Sequence, residues 1–389
     1  MTGLIRDRRA WGLLLLAVLA MTAQPGIILA LPGLRQLYGA GGTAMLFIAA
    51  LPVLVICAPL VGLAVDRKGR WPVLITGLVL YAASGLIGPF LDSYYMVMAS
   101  VVALNLGVTM IMTAQGALIG DYFAEPGRGR LIGTQIAVLL LGETGLLWVA
   151  VKLLAFDPRL PFALATLPLL LIPLLRRLLP APSDAVRATE PGEAGWPGMV
   201  ALLVVAAVPS SLIAGMMAVH MPPNLTILVG ANEKFTQTFT AGLILTMLVF
   251  AVASGWIRPM LGRRWTLIFG HVLVAVGMGL IMVGLKPVML GAVLIGAPLV
   301  GAGLGLSLPA YLTGVLDLAP ARFRGLMVGC VAGATALGAG LAPIVMGYYL
   351  NRYGHAQLFQ LCVTLSAIFA ILVLLGFRAQ PVDKVTHPD

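Results

Sequence analysis

Twelve apolar runs, parted by short polar turns, dominate this chain: roughly 11–31, 41–65, 71–91, 94–119, 130–154, 160–179, 197–221, 235–257, 265–285, 288–315, 324–350 and 355–377. A helix needs about 20 apolar residues to cross the hydrocarbon core of a bilayer. The runs are continuous and do not alternate, which fits helices and not the strands of a barrel. Only 10% of the 389 residues are charged and 60% are hydrophobic, whereas a water-soluble domain carries about 25% charge. The predicted fold is an all-α membrane protein of twelve transmembrane helices. Arg6, Asp7, Arg8 and Arg9 precede the first run as basic residues precede a signal peptide. No clear Ala-x-Ala cleavage site follows, so the run reads as an uncleaved first span.

The net charge of +10 is spread over many turns instead of one patch, which argues against nucleic acid as a partner. Of the 24 Lys and Arg residues, 18 fall on one side of the predicted spans and six on the other. This bias predicts both termini in the cytoplasm and an even number of spans; the expected location is the bacterial inner (plasma) membrane, as a multi-pass protein. Cys57, Cys330 and Cys362 lie inside apolar runs without paired spacing, and the four histidines form no ligand cluster. No disulfide, metal or cofactor is therefore expected. The chain has no Gly-x4-Gly-Lys-Ser/Thr, no Gly-x-Ser-x-Gly and no His-Glu-x2-His, so ATP hydrolysis and the common hydrolytic chemistries are not expected either, and an enzyme is not predicted.

The longest polar segment, 177–196, holds Pro180, Pro182, Ser183, Asp184, Pro191, Gly192 and Glu193 and has linker composition. It divides the chain into an N-terminal bundle (1–176) and a C-terminal bundle with a short tail (197–389). The two halves carry the same marks. Asp121-x6-Arg128-Gly129-x3-Gly133 recurs as Asp317-x6-Arg324-Gly325-x3-Gly329 at an offset of 196, and Gly142 recurs as Gly338. Gly62, Gly69 and Arg70 recur as Gly255, Gly262 and Arg263 at an offset of 193, with Pro259 in place of Asp66. Two pseudo-symmetric six-helix bundles are a transporter architecture, with the solute site between them near mid-membrane.

Gly62-x3-Asp66-Arg67-x-Gly69-Arg70 resembles the cytoplasmic signature of the major facilitator superfamily, and the twin Asp/Arg-Gly turns, central linker and twelve spans resemble that family over essentially the whole length. The resemblance implies that Asp66 latches the two halves on the cytoplasmic side in one state and releases them in the other. The glycines suit a tight turn and close helix approach. A turn that only fixes orientation would not need an acid beside three cations. The family's proton antiporters often carry Gly-Pro in the fifth span, where this chain has Leu146-Leu147.

Of the 14 acids, only Glu143 cannot be placed in a loop, tail or span end. It lies about 13 residues, or about 20 Å, into the fifth span. A carboxylate at that depth is costly, so the group would take up a proton part of the time. That suits a proton-coupling or cation-binding acid, and equally a protonated Glu bonded to a neighbouring helix. Gln135 stands about two turns earlier. Thr22 and Gln24 precede a Pro25-Gly26 break, and Asn105, Thr109 and Thr113 share one face of the fourth span. These residues line a polar pathway or bond between helices. His220 and His271 read better as structural groups than as proton shuttles, with His271 also suited to facing lipid. No Lys or Arg sits at mid-span, which argues for a neutral, amphipathic or cationic solute. The expected function is secondary active transport by alternating access, as proton-coupled efflux of small amphipathic compounds. Uptake or exchange of a small neutral metabolite is the alternative, and a non-transporting membrane sensor is the alternative of another class. The expected partners are a small-molecule substrate, protons and the lipid bilayer, with the monomer as the family default.

Overall fold

The computed structural model describes residues 7–86, 93–157, 160–180, 193, 195–222, 224–225, 230, 232–285 and 289–377, and these contain no strand. The helices are α1 (Arg8–Leu19), α2 (Gln24–Lys68), α3 (Arg70–Ser84), α4 (Tyr94–Tyr122), α5 (Gly127–Leu154), the short α6 (Leu160–Ala163), α7 (Leu167–Leu170) and α8 (Ile172–Leu178), then α9 (Trp196–Gly215), α10 (Glu233–Gly284), α11 (Leu290–Leu318), α12 (Arg324–Arg352) and α13 (His355–Gly376). Continuous apolar sequence gives helices because a backbone in lipid must satisfy its own hydrogen bonds.

Two helices are too long for one crossing. At 1.5 Å per residue the 52-residue α10 would reach about 78 Å, against a hydrocarbon core of about 30 Å. It breaks at Gly262 (φ 77°, ψ 163°), and the 45-residue α2 breaks at Gly39 (φ 68°, ψ 172°). Gly69, which separates α2 from α3, has nearly the same backbone as Gly262 (φ 95°, ψ 162°). The repeat read from the sequence is thus repeated in dihedral angles that only glycine adopts readily.

Among the described residues, eight helices are long and apolar enough to cross a membrane, or nine if Leu160–Leu170 and Ile172–Leu178, bent by 41°, form one span. Three other predicted spans fall outside this tally. The first is present as α1 with the start of α2, the third is the 15-residue α3, and the ninth is the second limb of α10.

The chain forms two compact units. The first comprises Met1–Ala124, Thr134–Trp196 and Val315–Gly340. The second comprises Glu125–Gly133, Pro197–Gly314 and Leu341–Asp389. Each therefore takes in a short segment from the other half of the sequence. The boundary expected at 177–196 falls largely outside the described residues. In the first unit, α3 lies against α4 so closely that a Cβ on Gly107 would sit 2.8 Å from the Tyr81 nitrogen. Small residues at such crossings let backbones approach and gain dispersion contact where lipid offers no hydrophobic drive. The core of the second unit gathers Leu212, Phe239, Met278, Ile281, Leu304 and Phe359.

Candidate functional site

The signature turn is built from the end of α2. Positive φ at Gly69 reverses the chain, so Asp66 stands in the last turn of α2 and Arg70 opens α3. The Asp66 carboxylate accepts hydrogen bonds from the backbone N–H groups of Gly325 and Leu326, each at 2.8 Å. Those donors belong to the first turn of α12, where N–H groups have no partner within the helix and the dipole favours an anion. Asp66 therefore caps a helix more than 250 residues further along the chain. Glycine is needed at two points of this approach. A Cβ on Gly325 would stand 2.7 Å from Asp66 Oδ1, and one on Gly62 would stand 2.8 Å from the Leu326 Cα.

Behind the cap lies a buried charge cluster. Arg70 donates through Nε to Asp121 Oδ2 at 2.8 Å, and through its terminal nitrogens to Asp121 Oδ1 (3.4 Å), Asp66 Oδ1 (3.2 Å) and the Val65 carbonyl (3.1 Å). Arg324 completes the group, 3.5 Å from Asp121 Oδ1. The four side chains are between 1% and 6% exposed. Two acids and two arginines balance in charge, which low-dielectric surroundings demand. The arrangement ties α2, α3, α4 and α12 together through charge-assisted bonds that can break as a set. Of the other predicted motif residues, Arg67 is exposed, Arg128 and Gly129 are buried at the start of α5, and Asp317 is half-buried at the end of α11.

The second unit carries the companion crossing. Arg258 pairs with Glu125. A Cβ on Gly133 would meet the Ala251 carbonyl, as one on Gly329 would meet the Ala58 carbonyl in the first unit. Ala58 and Ala251 are 193 residues apart, and Gly133 and Gly329 are 196 apart. One helix crossing is thus made twice. The Glu125–Arg258 pair escaped the sequence reading, although Arg258 stands beside Pro259, where the acid of the signature is lost.

The predicted polar residues of the spans are less unified. Glu143 is half-buried, with no hydrogen-bond or ion-pair partner among the described residues. Gln135 is buried and its Oε1 has no partner. Asn105 and Thr109 bond back to their own helix at Val101 and Asn105, both at 2.8 Å. Thr113 is fully buried with an unpartnered hydroxyl. Gln24 opens α2, and its side chain lies outside the described residues. His271 is buried, 2.9 Å from the Tyr311 hydroxyl and stacked on Phe369, so the lipid-facing option for it is removed.

A model of the Major Facilitator Superfamily matches residues 13–227 and, a second time, 199–389. The chain belongs to this superfamily. Its members are transporters and not enzymes. A search of curated protein sequences finds no match. Solved structures of the superfamily share the fold at low identity. The human organic anion transporter MFSD10 (TETRAN) superposes with a TM-score of 0.79 at 18% identity, covering 94% of this chain and 99% of its own. The proton:xylose symporter XylE, bound to 6-bromo-6-deoxy-D-glucose, gives 0.76 at 16%, covering 94% and 95%. The E. coli fucose:proton symporter FucP gives 0.74 at 15%, covering 95% and 98%. The signature turn that marks the superfamily in sequence is the turn whose acid caps α12 here.

Proposed function

We propose that this protein is a secondary active transporter that moves a small solute across the bacterial inner membrane by alternating access, with both termini in the cytoplasm. The observation that carries this reading is the Asp66 carboxylate on the first turn of α12, backed by Arg70, Asp121 and Arg324. Such a cap holds α2 to α12 in one state and frees them when its two hydrogen bonds break, which gives a cytoplasmic latch. Family membership supports transport, and the absence of a mid-span Lys or Arg supports a neutral, amphipathic or cationic solute.

Glu143 is the proposed coupling group. A half-buried carboxyl at mid-span, with no partner among the described residues, is free to exchange a proton and to hold a cation. Proton-coupled efflux of small amphipathic compounds is the first reading. Uptake or exchange of a small neutral metabolite is the second, favoured by Leu146-Leu147 standing where antiporters of the family carry Gly-Pro. The test is a solute screen on proteoliposomes with an imposed proton gradient, comparing the wild type with Glu143→Gln. The gradient should drive transport in the wild type only, while both proteins fold. Equal gradient-driven transport by the two would remove Glu143 from the mechanism.

A further inference from the structure

The two ends of the segment that joins the sequence halves are both held by neighbours of the charge cluster. At its start, the Trp71 indole N–H donates to the Leu179 carbonyl at 3.1 Å, and the Tyr122 hydroxyl donates to the Pro180 carbonyl. Arg9 lies over the Tyr122 ring at 5.3 Å, and Leu179 is fully buried. At its far end, the Glu193 N–H donates to the Leu318 carbonyl at 3.0 Å, and the Trp196 ring stacks on Phe323 with centroids 6.0 Å apart. Trp71 follows Arg70, Tyr122 follows Asp121, and Phe323 precedes Arg324. Three of the four charged residues thus sit one peptide away from a side chain that grips a linker end. All these contacts lie within the first compact unit.

This placement has a mechanical consequence. A residue cannot shift by an ångström without moving its covalent neighbour, so the Asp121 and Arg70 positions are referred to one linker end and the Arg324 position to the other. We infer that Trp71, Tyr122, Phe323 and Trp196 are positioning residues that make the two described linker ends, Leu179 with Pro180 and Glu193 with Trp196, a tether for the Asp66 latch: gripped ends hold the cluster in register, and loosened ends weaken the cap on α12. The inference rests on the latch reading above.

Two native thiols report the crossing without any known solute. Cys57 and Cys330 adjoin Ala58 and Gly329, whose backbones meet where α2 crosses α12, while Cys362 is fully buried in α13 and serves as an internal control. The rate of N-ethylmaleimide alkylation at each thiol is measured by mass spectrometry for the full chain in proteoliposomes. Asp66→Asn should speed alkylation of Cys57 and Cys330. The double variant Trp71→Phe, Tyr122→Phe should speed it by about threefold to tenfold, the factor expected from one or two lost hydrogen bonds. Adding the double variant to Asp66→Asn should give no further increase, with Cys362 unchanged throughout. Should the double variant not fold, Tyr122→Phe alone, which removes one hydroxyl, repeats the comparison.

Wild-type rates in the double variant, with a fast Asp66→Asn, would overturn the tether and leave the latch standing. Fully multiplied effects, or an equal rise at Cys362, would overturn it too, since the ends would then act apart from the latch or by general loosening. A wild-type rate in Asp66→Asn would bring down the latch and the tether with it.

Discussion

Asp121, the acid of the first Asp-x6-Arg-Gly copy, lies 3.5 Å from Arg324, the arginine of the second copy, with side chains 1% and 3% exposed. Asp121 also holds Arg70, so one carboxylate pairs with two guanidinium groups, and Asp66 supplies the second negative charge. Asp121→Asn keeps the shape and removes the charge. Breaking a buried pair from one side costs about 3–5 kcal/mol, because the remaining charges stay buried. The variant should melt well below the wild type in a thermal unfolding series in detergent. Arg67→Ala, at an exposed position two residues from the turn glycine, should stay within about 0.5 kcal/mol. Equal melting of Asp121→Asn and Arg67→Ala would show that the cluster contributes nothing to stability.

The backbone approach at Gly329 makes a second test. A Cβ there would meet the Ala58 carbonyl, whereas one on Gly145 would meet nothing within 4 Å. Gly329→Ala should therefore destabilise by about 1–3 kcal/mol, as overpacking does. Gly145→Ala should be neutral or stabilising by up to about 1 kcal/mol, since alanine is the better helix former. Unfolding temperatures of the two variants check the contrast, and a stabilised Gly329→Ala would mean that the helices have room to part.

How much of this was legible in the sequence depended on range. Apolar run length announced the spans because lipid leaves the backbone no other choice, and Gly69 and Gly262 announced their turns because other residues rarely take positive φ. The equal offsets also announced that Gly133 and Gly329 do the same work. What the repeat did not disclose is which copy pairs with which. Asp121 and Arg324 pair across copies, and no periodicity in the chain encodes a contact over 203 positions. The grip of Tyr122 on Pro180, and the Ser210–Tyr311–His271 chain, were invisible for the same reason.

That chain supports a third prediction. The Tyr311 hydroxyl stands 2.7 Å from Ser210 Oγ and 2.9 Å from His271 Nε2, and all three residues are buried. Tyr311→Phe would leave two polar groups buried without this partner, at a cost of about 1–3 kcal/mol. Tyr348→Phe, at a ring 51% exposed, supplies the comparison and should change little. A melting temperature for Tyr311→Phe equal to that of Tyr348→Phe would show that Ser210 and His271 find other partners.

Gln135 separates function from stability. Its amide is buried near the start of α5 and its oxygen has no partner, an arrangement that costs free energy. From its place in the sequence, Gln135 either lines a polar pathway or bonds between helices, and one substitution separates the two. Gln135→Leu removes the orphaned oxygen and keeps the volume nearly constant, so it should raise the unfolding temperature, as changes that relieve a functional site commonly do. The same variant should lose gradient-driven transport in proteoliposomes. Lower stability in Gln135→Leu would mean that the amide is bonded in the membrane after all, and full transport at higher stability would assign Gln135 to helix packing alone.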